Sequence, residues 1–252
     1  MPNHITNEVS APEHVIQAIL NEKGEIDFEK ILPRPAIYER FGEGVSYIDQ
    51  ELLALGFYAQ KETNYKVTFA RNIIGDNCLE SLKKENGEPL QEHEVRELVR
   101  AAKPFIALVL ARDRGNSNEV QVHVDALVLQ ALCLSQTGFP DPISWSYANW
   151  GTKWNGYDFS EVEPTLIRFS TAWSCPTPVL VELSKKFPDD EISVQYADED
   201  IGSNCGYFTL KDGEMITYAS DDNNDFETNW EDFASQLVHG VSYEELMQDE
   251  DD

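Results

Sequence analysis

An α+β fold is predicted: a ferredoxin-like antiparallel sheet with a large helical insertion, followed by a C-terminal hairpin plus helix. Three observations carry this reading. The outer segments read strand, helix, strand, strand, helix, strand, which is the ferredoxin-like succession. A long stretch of helical periodicity interrupts that order after the first helix. Beyond it, Lys211-Asp-Gly-Glu214 separates two apolar runs, and Asp-Gly is a strong hairpin signal. Hydrophobic residues make up 41% of the 252 and aromatics 11%, enough to build a core, so disorder throughout is excluded.

The elements follow in order. His4 to Val9 alternates in part and reads as a strand. Ser10 and Glu13 have the spacing of a capping box, with Pro12 in the first turn. Val15, Ile16, Ile19 and Leu20 then fall on one helical face, which Gly24 closes. Two prolines keep the segment from Ile26 to Pro35 extended or looped. Residues 36–142 read as the helical insertion. Its expected helices are Tyr47 to Leu55, Gln91 to Ala102 with Pro104 just beyond, and a largely buried one from Val120 to Ser135. Ile143 to Trp150 is expected to be a strand, and Leu166 to Trp173 another. Pro176 to Phe187 gives a helix, and Ile192, Val194 and Tyr196 mark a half-exposed strand. Tyr207 to Leu210 and Met215 to Tyr218 form the hairpin, and an amphipathic helix near Trp230 to Val238 precedes an acidic tail. The expected division is a core of 1–35 and 143–200, the insertion 36–142, and an acidic hairpin, helix and tail over 201–252.

Charge narrows the classes of partner. The chain carries 46 acids against 19 bases, a net charge of -27. From Asp189 to Asp252 there are 20 acids and a single base, Lys211, a local charge of -19 against -8 for the rest. Such a surface repels nucleic acid and anionic membrane and suits a basic protein surface. Cys78, Cys133, Cys175 and Cys205 form no Cys-x-x-Cys pair and are expected to be reduced thiols. Neither a secretory signal nor an apolar run of membrane-spanning length is read, so a cytoplasmic location is expected.

Three motifs stand out. Phe28, Lys30, Ile31, Pro33 and Pro35 follow the first helix. Asn149, Trp150, Gly151, Thr152, Lys153, Trp154, Asn155, Tyr157 and Asp158 make a Trp-Gly turn. Thr171, Ala172, Trp173, Ser174, Pro176, Pro178 and Val179 make a third. Together with the start Met1-Pro-Asn3, this set resembles YubB-like proteins, a family from plasmids and phages with a ferredoxin-like domain and no settled activity. Cys175 replaces a proline usual in that family. The resemblance implies the same order of elements and a mobile-element setting.

Trp150, Lys153, Trp154, Asn155, Asp158 and Trp173 therefore form a candidate polar-aromatic binding turn. The competing account is a scaffold, with Trp154 and Trp173 mostly buried against the second core helix and Lys153 pairing with Asp158. Asp221, Asp222, Asp225, Glu227, Glu231 and Asp232 form a candidate acidic surface. The spacing of Asp221, Asn223, Asp225, Glu227, Asn229 and Asp232 also resembles a calcium loop, but Phe226 stands where that loop needs glycine, so no metal is expected.

Catalytic patterns are poor. His93-Glu-Val-Arg-Glu97 has no second histidine where a zinc helix needs one, and no nucleophile elbow, phosphate loop or dinucleotide fingerprint is present. Cys175 near a helix start has its thiolate favoured by the dipole but has no identifiable base. No catalytic residue and no cofactor are expected. The leading expectation is a non-enzymatic accessory protein of a mobile element that binds a basic host protein, such as a nucleic-acid-binding defence protein, by imitating DNA. The alternative is a small ligand- or peptide-binding module using the Trp-rich turn. Direct contact with nucleic acid or membrane is not expected.

Overall fold

The computed structural model describes residues 3–41, 65–71, 77–114, 124–223 and 228–249. They form two units, 1–34 with 146–252 and 35–145.

The first unit is built on a six-stranded antiparallel sheet. Its strands are β1 (His4–Ser10), β4 (Tyr157–Glu163), β5 (Leu166–Ala172), β6 (Ile192–Asp198), β7 (Gly206–Lys211) and β8 (Glu214–Ser220). They lie side by side as β4-β5-β1-β6-β7-β8, every neighbour antiparallel. The first four in that row have the ferredoxin-like arrangement, with the first and third core strands, β1 and β5, at its centre and the last, β6, beside β1. The β7–β8 hairpin extends the sheet beyond β6. Asp212 and Gly213 both have positive φ, 50° and 76°, which is the turn that Asp-Gly favours in a two-residue hairpin.

One face of the sheet carries Ile5, Val9, Ile167, Phe169, Ile192, Val194, Phe208 and Leu210, all buried. Helix α1 (Glu13–Ile19) adds Val15, Ile16 and Ile19 to the buried core. Helix α5 (Thr177–Lys186) adds Val179, Leu180 and Leu183. Helix α6 (Trp230–His239) packs Ala234 and Leu237 with Ala197 and Cys205, with Trp230 and Phe233 alongside. It is capped by the Asn229 side chain, which accepts from the Asp232 N–H, and it ends at Gly240 in the left-handed region. A further short helix, α7 (Tyr243–Asp249), stands where the sequence suggests only a tail.

The second unit holds helices α2 (Glu92–Arg114) and α3 (Val124–Thr137) and a separate antiparallel pair, β2 (Tyr65–Arg71) with β3 (Asn77–Lys84). Its core joins Leu82, Leu90, Val95, Leu98, Val99 and Ala102 to Leu127, Val128, Ala131 and Leu132. The insertion is thus not purely helical, although among the described residues its strands pair only with each other. Helix α2 also runs past Pro104 instead of ending before it. An interior proline costs about 3 kcal/mol locally, and the turns before it are anchored in the core by Val95, Leu98, Val99 and Ala102. The expected helix Tyr47 to Leu55 lies outside the described residues.

Two further expectations are corrected. Ile143 to Trp150 is not a strand but most of helix α4 (Pro142–Trp150). Asp141 caps it, accepting from the Ser144 N–H at 2.8 Å and the Ser144 hydroxyl at 2.7 Å, and Pro142 occupies the first turn. The second core strand is β4 instead. The capping box also fails to form: Ser10 remains in β1, paired with Leu166 and Ser193, and Pro12 stands at the cap with no side-chain bond.

Candidate functional site

The three motifs lock onto one another. Trp150 is fully buried, donates its indole N–H to the Leu32 carbonyl at 2.8 Å, and meets Phe28 edge-on at 5.7 Å. Asn155 accepts from the Phe28 N–H at 2.9 Å and donates to the Ile26 carbonyl at 3.3 Å. Thr152 donates to the Ala172 carbonyl and accepts from its N–H. The Ser174 hydroxyl donates to the Gly151 carbonyl. Gly151 has φ of 79°, and a Cβ there would lie 2.7 Å from Pro178 Cδ and 3.2 Å from the Cys175 carbonyl. Only glycine allows that approach, which is why the Trp-Gly pair faces the proline-rich motif. The half-buried Asn155 therefore spends its side chain on the backbone of the Phe28 segment, and Trp150 is built into the interior.

Trp154 and Trp173 are not. They are 39% and 42% exposed, so neither is buried against α5 as the sequence suggests. Trp173 follows the end of β5 with φ of 72°, a left-handed conformation that costs a bulky residue about 1–3 kcal/mol. Three partners hold it there. Its N–H donates to the Asn3 carbonyl at 3.0 Å, and its carbonyl accepts from Asn204 Nδ2 at 3.0 Å. Its ring stacks on Tyr147, with centroids 5.5 Å apart and planes 10° from parallel. Lys153 then lays its ammonium over both exposed indoles, 4.4 Å from the Trp173 centroid and 4.9 Å from that of Trp154. Among the described residues it makes no ion pair with Asp158, which is exposed with φ of 50°.

Beneath this surface lies Asp198, a buried carboxylate. It accepts from Asn3 Nδ2, the Asp200 N–H and Asn204 Nδ2, each at 3.0 Å. Three donors satisfy a charge that would otherwise be costly to bury. On the neighbouring strand end the Tyr157 hydroxyl meets His4 Nδ1 at 2.7 Å. Burial raises the Tyr157 phenol above its ordinary value, and the nearby charges of Asp158 and Glu199 raise it further. One rim of the sheet thus gathers Asn3, His4, Tyr147, Lys153, Trp154, Tyr157, Asp158, Trp173, Asp198, Glu199 and Asn204. The sequence reading misses Tyr147, Asp198 and Asn204, and no local pattern marks them.

The acidic set divides. Asp221 accepts from the Asn204 N–H at 2.9 Å and the Cys205 N–H at 3.0 Å. Asp232 accepts from the Tyr243 N–H at 3.0 Å and from Gln236 Nε2 at 2.7 Å. These two hold backbone and helix ends in place. Asp222 and Glu231 are exposed, and Asp225 and Glu227 lie outside the described residues. Among the described residues no group of three or more His, Cys, Asp or Glu is placed to hold a metal ion.

Cys175 is the reverse of an activated thiol. Its side chain is buried, and desolvation pushes its pKa up to about 12. Loss of solvation outweighs the helix dipole that would favour a thiolate there. Cys133 and Cys205 are likewise buried free thiols.

A match to a family model agrees with the ferredoxin-like arrangement. Residues 149–240 match the family model described as the ferredoxin-like domain in Api92-like protein. That span begins at the Trp-Gly turn and ends after α6. Among solved structures the chain is similar to the crystal structure of protein api92 from Yersinia pseudotuberculosis. The identity is 13% and the TM-score 0.38, with 87% of this chain and 98% of that chain covered. No curated protein matches. No helix among the described residues is long and apolar enough to cross a membrane.

Proposed function

We propose that the chain is a non-enzymatic binding protein whose acidic C-terminal quarter takes up a basic surface on a protein partner. One observation carries this reading: the charge of -19 concentrated from Asp189 to Asp252 beside -8 in the remainder. Exposed Asp189, Glu191, Glu199, Asp200, Asp212, Glu214, Asp222, Glu231, Glu244 and Glu245 spread that charge over strand ends, the hairpin turn and two helices. Fixed carboxylates of this kind steer a basic surface inward and raise the association rate. The resemblance to YubB-like proteins of plasmids and phages supports a further step. In it the partner is a host nucleic-acid-binding protein, and the acidic surface blocks it in place of DNA.

A second reading rests on Trp154, Trp173 and Lys153. Two large exposed indoles beside a strained backbone are a surface for a ligand or peptide, and tryptophan dominates the energetics of many interfaces. The test that separates the two is capture from a host lysate by three immobilised forms of the chain: native, Asp222→Asn with Glu231→Gln, and Trp154→Ala. The first reading predicts capture that weakens steeply with salt, is competed by duplex DNA and is reduced by the acid substitutions. Capture lost only on Trp154→Ala, with little salt dependence, favours the second.

A further inference from the structure

We infer that Trp154 and Trp173 form a slot for a cationic side chain, an arginine of a basic protein partner above all, and that Lys153 fills this slot in the free chain. The inference deepens the basic-partner reading and rests on it for the identity of the partner.

The slot's chemistry is visible in what occupies it. The Lys153 ammonium lies 4.4 Å from one indole centroid and 4.9 Å from the other, within the range where a ring face attracts a cation. Acidic side chains are abundant in this chain, and Lys84, Lys185 and Lys211 each pair with one. Lys153 instead rests on two rings. The Tyr147 ring stacks parallel on Trp173, with centroids 5.5 Å apart, and helps hold the indole that receives the cation. Asn3 and Asn204 fix its backbone. A slot so held loses little freedom on binding, which favours affinity.

Charge selects the sign of the visitor. Asp158 and Glu199 lie near Tyr157 on the same rim, and the whole chain carries -27, so an anion is repelled and a cation drawn in. Arginine suits the slot better than lysine. Its guanidinium is planar, more weakly hydrated and able to stack on an indole face, whereas an ammonium offers only a point charge. A visiting arginine displaces Lys153 and gains the stacking that Lys153 lacks. The tethered lysine acts as a competitor, reducing the fraction of molecules with an open slot.

The test uses the full chain and its tryptophan fluorescence, with acetyl-arginine amide as probe and acetyl-glutamine amide as control. If Lys153 leaves the slot open in a tenth of molecules, Lys153→Ala tightens arginine binding by about tenfold. Trp154→Ala abolishes arginine binding in either background while the melting temperature stays near that of the native chain. Weaker or unchanged arginine binding in Lys153→Ala overturns the inference. So does binding of inorganic phosphate that Lys153→Ala removes, which would mark an anion site. A chain with Asp222→Asn and Glu231→Gln keeps its arginine affinity if the slot is real, whatever happens to partner capture. Failure of the slot and failure of the acidic-surface reading are therefore seen in different measurements.

Discussion

Trp150→Ala removes the ring at which the motifs meet. The side chain is fully buried against Phe28, its N–H is bonded to the Leu32 carbonyl, and the Arg34 guanidinium lies 4.8 Å from its ring centroid. Truncating a buried tryptophan costs about 3–5 kcal/mol through lost transfer energy and the cavity left behind. The Leu32 carbonyl loses its donor as well, which places the cost toward the upper end. For a chain of this size each kcal/mol moves the melting temperature by roughly 2–4 °C, so the expected fall is ~6–20 °C. Trp154→Ala is the internal comparison. Its ring is 39% exposed and rests on Lys153, and its loss should cost under ~1 kcal/mol. Urea unfolding followed by circular dichroism reads both. Equal destabilisation by the two substitutions would refute the division between a buried and a presented tryptophan.

Gly151→Ala forces a Cβ to within 2.7 Å of Pro178 Cδ at positive φ, so about 2–4 kcal/mol of stability should be lost, as thermal unfolding will show. Asp221→Ala strips two backbone N–H groups of their acceptor and should cost about 2 kcal/mol, whereas Asp222→Asn should lie within ~0.5 kcal/mol of the native chain in the same assay. Burial holds the thiols of Cys133, Cys175 and Cys205 at about 12, above their ordinary 9.0. The unfolded chain therefore releases those protons first. Their contribution is fully present below pH 9 and is lost as pH rises toward 12. Unfolding curves should show stability falling over that window. Iodoacetamide at pH 8, read by mass spectrometry, should label these three cysteines only after unfolding.

Much of the core was legible because alternation and turn chemistry act locally. Ile192, Val194 and Tyr196 read as a strand, Asp212-Gly213 as a hairpin turn, and the first helix and α6 as amphipathic faces. The misreadings have physical causes. The stretch Ile143 to Trp150 mixes apolar and polar residues closely enough to pass for a strand, although Asp141-Pro142 carries a helix start signal. Pro104 reads as a stop, yet α2 continues through it to Arg114. The exposure of Trp154 and Trp173 runs against the usual burial of large rings. At Trp173 it goes with a left-handed backbone, which no local pattern announces. The rim itself is assembled from residues as distant as Asn3 and Asp198, 195 positions apart in the chain.

Capture of a partner from host lysate across a salt gradient, with duplex DNA as competitor, tests the binding account most directly. The native chain should retain a basic protein at low salt, release it at moderate salt, and lose it to added DNA. The Asp222→Asn, Glu231→Gln chain should retain measurably less at every salt concentration, with its melting temperature unchanged. Retention that is indifferent to salt and DNA, or equal retention by that variant, would contradict recognition through the acidic surface.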